Sequence, residues 1–361
     1  MDILKKRVPY FINIDWGTSL IKCLARKGSQ TARVEIESYA IRTAEVEKGK
    51  QRENCLAFPE QYMGSCGGYV GKVGAAILDL NQDFYDTEEF PLLTFLCTAK
   101  LLDEMNAEET VDVVLSLAIP SDHIEKAGAI EAHLKKTWPV GTQTGKKRRV
   151  NITHVFVKRQ PECIIFDQLM TWKAVNSHVE LDDSRGDALM DKAPIDAFSL
   201  GSRSLDRMYF DGSFSRAIAK SEFIGTFNLM DALRNKFFGK HGERLKDYEA
   251  MYHAFKEGKV TIENETYHTA TLSRMLTEQF IKSEMFKKYM NTFWNKLPAN
   301  PEFCILGGGG VFYGEQAFRE QFEKRYAHGV VVTRNDNGNP NPVWTVAEGL
   351  DKAAQYTYAQ L

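Results

Sequence analysis

The 361-residue sequence predicts an α/β protein built as two similar halves. Strand-like runs alternate with helical stretches along the whole chain. Two glycine-turn hairpins, "FINIDWGTSLIK" and "IDAFSLGSRSLDRMYF", place Gly17 and Gly201 184 residues apart, about half of the chain. The elements that follow the second hairpin repeat the plan of those that follow the first.

In chain order, "YFINI", "LIKCLARKG" and "ARVEIESYAIR" read as a meander of three antiparallel strands, with Gly28-Ser29 as the second turn. Residues 42–70 are polar and glycine-rich and predict a small inserted subdomain or a mobile loop. "FPLLTFLCTAKLLDEM" carries apolar residues at helical spacing, and "VDVVLSLAIP" is a buried strand closed by Pro120. "SDHIEKAGAIEAHLKKTW" predicts an amphipathic helix opening at Ser121. The basic run "GKKRR" (145–149) reads as a solvated loop rather than a DNA contact. "HVFVKRQPECIIFDQL" reads as strand, turn and helix, with Pro161 suited to a first helical turn. Beyond the second hairpin, helices are expected at 226–238, 270–297 and 314–326. "EFCILGGGGVFY" is a strand running into four glycines. "NPVWTVAEGLDKAAQYTYAQL" predicts a last helix packed back on the first half.

Charged residues make up 26% of the chain and the net charge is −2, so no global field draws it to nucleic acid or anionic membrane. The six cysteines (23, 55, 66, 97, 163, 304) show no CxxC pair and no histidine at ligand spacing, which favours reduced core thiols over disulfides or zinc. No apolar run reaches bilayer length, and "MDILKKRVPYF" lacks a signal-peptide h-region. These features predict a soluble cytoplasmic protein.

Two loops carry chemistry. In "DWGTSLIK" a hairpin through Gly17, Thr18 and Ser19 can turn amides and hydroxyls onto phosphate oxygens, and Lys22 can add a point charge. Asp15 fits beside phosphate only with a cation or cation-bound water between them. An ordinary hairpin with a turn-capping aspartate is the alternative. Gly307, Gly308, Gly309 and Gly310 allow close approach of backbone to a ligand, or else a tight strand–helix turn with none. There is no GxxxxGK[ST] phosphate loop.

"INIDWGTSLIK" resembles the first phosphate motif of the actin-like ATPases, Asp-x-Gly-(Ser/Thr)-x-h-h-Lys, at Asp15, Gly17, Thr18, Leu20 and Lys22. The superfamily's other signatures follow in order. "FVKRQPECIIFD" is similar to the segment with a Gln or Glu near the attacking water, here Gln160. "FSLGSRSLDRMYF" resembles the second phosphate hairpin, implying contacts from Gly201, Ser202, Arg203 and Ser204. "SEFIGTFNLMDAL" resembles the segment beside the nucleotide sugar, with Gly225, and "CILGGGGVFY" the adenosine motif. Length and texture resemble the bacterial and plasmid ParM (StbA)-type actin homologues.

The resemblance implies an actin-like (ribonuclease H-like, duplicated) fold, each half a mixed sheet flanked by helices, around a nucleotide cleft. It implies one domain over 1–168 plus 342–361, with an insertion near 41–70, and a second over 169–341, with an insertion near 228–270. The implied function is an ATP-dependent, filament-forming protein of the bacterial cytoskeleton, serving plasmid or organelle partitioning. ATP or ADP and Mg2+ would be its cofactors, with Asp15 holding the metal through water. Its partners would be further copies of itself and an adaptor linking it to plasmid DNA or other cargo, without membrane insertion or direct nucleic-acid binding.

Two positions depart from the pattern: Ser199 stands where the family has an aspartate, and Arg203 where small residues are usual. The two changes make the site more positive. Two unit charges ~5 Å apart at an effective dielectric of ~20 interact by about 3 kcal/mol. ATP hydrolysis is therefore in question more than binding, and a nucleotide-binding pseudo-ATPase or scaffold is the alternative. A small-molecule kinase of the same superfamily ranks third, because no acid stands out as its base.

Overall fold

Strand β1 (Tyr10–Asp15) forms from an apolar run whose six residues are all buried, and it hairpins into β2 (Leu20–Lys27) and then β3 (Gln30–Glu37). Gly28, at φ +60°, makes the two-residue turn between β2 and β3 that was read from Gly28-Ser29. The computed structural model describes residues 8–17, 20–37, 39–42, 55–56, 68–69, 76–77, 82–87, 89–141, 146–175, 178–201, 204–222, 225–241, 251, 254–255, 257–262, 264–335, 337–339 and 341–361. Contacts divide the chain into two units, Met1–Asp187 with Trp344–Leu361, and Ala188–Val343. Most of the 42–70 segment lies outside the described residues. Four short strands, β4 (Tyr39–Arg42), β5 (Cys55–Leu56), β6 (Gly68–Tyr69) and β7 (Ala76–Ile77), form a sheet in the order β5-β6-β4-β7.

The first unit continues with helix α1 (Glu89–Glu104), β8 (Thr110–Ile119), helix α2 (Ala127–Leu134), β9 (Thr137–Val140), β10 (Arg148–Arg159) and helix α3 (Gln160–Leu169). Its six-stranded sheet runs β3-β2-β1-β8-β10-β9. β1, β8 and β10 are parallel neighbours, whereas β2, β3 and β9 join antiparallel. Ser121 does not cap a helix as expected. Residues Ser121–Lys126 form a 3-10 turn after Pro120, without a side-chain cap bond, and α2 begins only at Ala127. The basic run is also not uniformly solvated. Lys146, Lys147 and Arg149 are exposed, but Arg148 opens β10 with 4% of its surface accessible and its guanidinium on Asp103.

A hairpin of β11 (Thr171–Val175) and β12 (His178–Asp182) follows. It stays with the first unit, where Arg26 lies 4.1 Å over the Trp172 ring, so contacts place the break after Asp187 and not after 168. Helix α4 (Gly186–Met190) leads into β13 (Ile195–Leu200), β14 (Leu205–Phe210) and β15 (Ile218–Glu222), a second antiparallel meander. The order β15-β14-β13-β18-β19, with β18 (Phe303–Gly307) and β19 (Val330–Val332) parallel to β13, repeats β3-β2-β1-β8-β10 strand for strand. The duplication suggested by two glycine turns is thus a repeated topology.

Helices α5 (Thr226–His241), α6 (Ala270–Ile281), α7 (Glu284–Trp294) and α8 (Glu315–Phe322) complete the second unit, with a small hairpin of β16 (Lys259–Ile262) and β17 (Glu265–His268). The single helix expected over 270–297 is broken at Lys282-Ser283. There the Ser283 hydroxyl accepts the Phe286 amide at 3.2 Å and starts α7 anew. Phe286, Tyr289, Met290, Phe293 and Trp294, at helical spacing, bury one face of α7, each contributing roughly 1.5–3 kcal/mol.

Helix α9 (Thr345–Ala359) returns to the first unit. A Cβ added at Gly349 would sit 1.8 Å from the Cys163 carbonyl, so glycine lets α9 lie directly on α3. Lys352 donates to Asp167 at 2.7 Å, Thr345 to the same carboxylate at 2.9 Å, and Asn13 and Arg26 to Asp351 at 3.0 and 2.6 Å. Cys23, Cys97, Cys163 and Cys304 are buried thiols, and burial pushes the first, third and fourth well up, which keeps them protonated. No helix among the described residues is long and apolar enough to cross a membrane.

Candidate functional site

Parallel strands deliver their following loops to one end of a sheet, which is where open α/β sheets place ligand chemistry. In the first unit β1 ends at Asp15 and β10 at Arg159, one residue before Gln160 begins α3. Asp15 is 3% exposed. Its Oδ1 accepts Gln160 Nε2 at 2.8 Å, and its Oδ2 lies 3.3 Å from Lys22 Nζ, across the β1–β2 pair. Gln160 Nε2 also donates to the Trp16 carbonyl at 3.1 Å, so its amide nitrogen is anchored twice. Pro161 stands in the first turn of α3, where a missing N–H costs nothing.

Gly17 must be glycine, because a Cβ there would lie 2.3 Å from the Leu20 carbonyl. Its N–H donates to the Asp15 carbonyl at 3.1 Å and tightens the turn. Asp15, Gly17, Lys22 and Gln160 are therefore brought together, while Thr18 and Ser19 fall outside the described residues. Trp16, not singled out from sequence, is buried against Phe84 and Phe90 at ring separations of 5.2 and 5.5 Å and anchors the turn from below.

In the second unit Ser199 faces Asp206 across the β13–β14 pair and Gly307 across the parallel β13–β18 pair. Gly201 N–H donates to the Ser204 carbonyl at 2.8 Å and closes the hairpin; Ser202 and Arg203 lie outside the described residues. Asp206 is fully buried and accepts from Ser204 Oγ at 2.8 Å and from Ser221 Oγ. The register puts this acid, visible in the sequence at the far side of the hairpin, directly opposite Ser199. Asp196, the other acid near the hairpin, is committed elsewhere. Its Oδ2 takes Arg207 Nη2 at 2.5 Å, Tyr326 OH at 3.0 Å and Trp294 Nε1 at 3.1 Å, on the opposite sheet face from Asp206.

Arg207 is fully buried between Phe293 and Phe198, whose ring centres lie 4.0 and 4.3 Å from its guanidinium carbon. Burial works against its charge, but Asp196 beside it prevails and holds the group above its usual value. Burial likewise pushes the Tyr326 phenol well up, so it serves Asp196 as a donor.

The four glycines divide by role. Gly307 ends β18. Gly308, at φ +87°, packs so closely that a Cβ would meet the Leu200 carbonyl at 2.5 Å, and its N–H donates to the Pro342 carbonyl at 2.7 Å. Gly309 and Gly310 open a 3-10 turn, Gly309–Tyr313, in place of the expected helix start, and a Cβ on Gly309 would meet nothing within 4 Å. The backbone at Gly309 is thus open to close approach, whereas Gly308 locks the loop onto the second hairpin. Gly225 is buried immediately ahead of α5.

No family model and no curated protein matches the sequence. Solved structures do. The archaeal actin homologue Ta0583 superposes with a TM-score of 0.69 at 16% identity, covering 96% of this chain and 99% of that one.

The chain has the actin-like fold.

Two further structures agree at similarly low identity. Bacillus thuringiensis ParM, solved with ATP, gives a TM-score of 0.68 at 15% identity, covering 98% of this chain and 100% of its own. A non-polymerisable quadruple mutant of pCBH ParM gives 0.67 at 14%, over 96% and 99%. In actin-like terms, the repeated meanders are the cores of the two halves and α9 completes the first.

Proposed function

We propose that this chain is a nucleotide-dependent, filament-forming actin-like protein that binds ATP on its two glycine hairpins and on the Gly307–Gly310 turn. The observation that carries the proposal is the Asp15–Lys22–Gln160 network at the ends of parallel strands. An ordinary hairpin gains nothing from a buried carboxylate bonded to a lysine and to a glutamine 145 residues away. Structures of this fold solved with ATP, ADP and AMPPNP support the choice of ligand.

In this reading Lys22 exchanges Asp15 for a phosphate oxygen, and the Gly17, Thr18 and Ser19 segment supplies further donors. Gly201, Ser202, Arg203 and Ser204 do the same from the second hairpin, Gly309 lets the nucleoside approach the backbone, and Gly225 borders the sugar. The oxygen donors of Asp15 suit a hard divalent cation such as Mg2+, held through water. Such a cation would neutralise polyphosphate charge. With its amide nitrogen anchored, Gln160 presents its carbonyl oxygen to orient a water. The polymer would act in the cytoplasm and partition a cargo such as a plasmid, joined to it by an adaptor protein. A second reading, a scaffold that binds nucleotide without turnover, is favoured by Ser199 and by the hydroxyls that already occupy Asp206.

High-speed sedimentation tests the proposal. The protein is expected to pellet with ATP or a slowly hydrolysed analogue and to pellet less with ADP. Monomer under all nucleotide, salt and concentration conditions would sink the filament reading and leave the fold unaffected.

Lys22→Ala is expected to weaken ATP binding by about ten- to a hundredfold, through loss of a charge-assisted contact of roughly 1.5–3 kcal/mol. Calorimetric titration of the folded variant checks it, and unchanged affinity removes this hairpin from the phosphate site. Gln160→Ala should slow phosphate release while nucleotide affinity changes little. Wild-type turnover at background would void that role and favour the scaffold.

A further inference from the structure

The outer strand of the first unit's sheet has an arrangement that the nucleotide chemistry does not use. Among the described residues β9 pairs only with β10. The Ile152 N–H donates to the Lys136 carbonyl at 3.1 Å, which sets the alternation of the strand. The main chains of Lys136, Trp138 and Val140 face β10, and those of Thr137 and Pro139 face outward. Trp138 and Val140 bury their side chains, Trp138 against Phe95 with ring centres 4.6 Å apart. Thr137 and Pro139 are exposed, beside Asn151 and Arg149 of β10.

Four exposed cations surround this edge: Lys136, Lys146, Lys147 and Arg149. None of the four is paired with a carboxylate among the described residues, and Lys136 instead lies 4.4 Å over the Trp138 ring. The neighbouring acids are otherwise occupied. Glu131 bonds Lys135 at 3.2 Å, Asp103 holds Arg148, and Asp112 accepts Asn151 at 2.8 Å, leaving Glu109 as the exposed acid alongside. In a chain of net charge −2 this is a local positive excess beside an open strand edge.

We propose that the outer edge of β9, with Lys136, Lys146, Lys147 and Arg149 around it, docks an acidic, extended segment of a partner protein. The Thr137 N–H and carbonyl and the Pro139 carbonyl offer main-chain hydrogen bonds to an added strand, and the cations supply charge complementarity. A second copy of this chain does not fit. Two such edges would set like charges against each other. Nucleic acid is disfavoured because the aromatic side chain of this edge, Trp138, is turned into the core and leaves no stacking surface.

Fluorescence anisotropy with a labelled peptide of alternating Glu and Thr, about eight residues long to exceed the strand, tests the inference. Binding is expected at low salt and should weaken as salt rises. The triple variant K146E/K147E/R149E, all at exposed positions, should weaken it by about tenfold or more. The control K288E/K296E/K324E changes net charge equally on the second unit and should leave binding within about twofold. Methylating alternate main-chain amides of the peptide should weaken binding several-fold. Failure of the wild type to bind, equal losses in the two triple variants, or tighter binding of duplex DNA than of the peptide would each overturn the proposal. So would a methylated peptide that binds as well as its parent.

Discussion

Arg207→Ala is expected to destabilise the protein by about 3–5 kcal/mol, the usual cost of removing one partner of a buried ion pair. The guanidinium is fully buried and is the cation paired with Asp196. Its loss leaves a carboxylate that Trp294 and Tyr326 still bond but that nothing neutralises. The space between Phe198 and Phe293 is vacated as well, which adds a cavity cost. For a unit of this size the change corresponds to a fall in Tm of roughly 10 °C or more. Melting followed by circular dichroism reads it directly. The double variant D196N/R207M removes both charges and should recover much of the loss, because the penalty lies in the orphaned charge. A single variant that melts within a degree or two of wild type would show that the pair is solvated.

The second large effect is expected at Gly308 and is best read beside Gly309. Gly308→Ala places a Cβ 2.5 Å from the Leu200 carbonyl and 2.7 Å from its amide nitrogen, both backbone atoms that cannot swing away. Its φ of +87° and ψ of 156° lie where side chains are strained. Strain and overpacking together should cost about 3 kcal/mol. Gly309→Ala meets nothing within 4 Å and should change stability by less than about 1 kcal/mol. If a nucleotide lies against that open backbone, Gly309→Ala should nonetheless weaken its binding. A Gly308→Ala protein with unchanged melting temperature would contradict the close packing. A Gly309→Ala protein that binds ATP as well as wild type would place the nucleoside elsewhere.

What the sequence disclosed and what it hid divide by the range of the interaction. The meander through Gly28, the strand closed by Pro120 and the entry to α3 at Pro161 depend on neighbouring residues and were legible. The break at Ser283 is also local and was legible in principle, since a serine precedes an apolar period whose buried face is turned away from that of α6. Gln160 meeting Asp15 spans 145 positions; the family resemblance singled out both residues but not their contact, which no local pattern signals. The burial of Arg148 depends on Asp103, which lies in α1 and not near the basic run. Arg207 was legible in principle. It alternates with Leu205 and Tyr209 on a core face, and a charge at such a position demands a buried partner.

The return of α9 to the first unit has a consequence for the order of assembly. Because Trp344–Leu361 belongs with Met1–Asp187, the second unit, Ala188–Val343, is threaded through the first as an insertion with two connections. During synthesis the second unit can acquire all its strands and helices while the first still waits. Until α9 emerges, Asn13 and Arg26 lack Asp351, and Asp167 lacks Lys352 and Thr345. The N-terminal unit is therefore finished last, and the strand that bears Asp15 gains its final support only when α9 arrives.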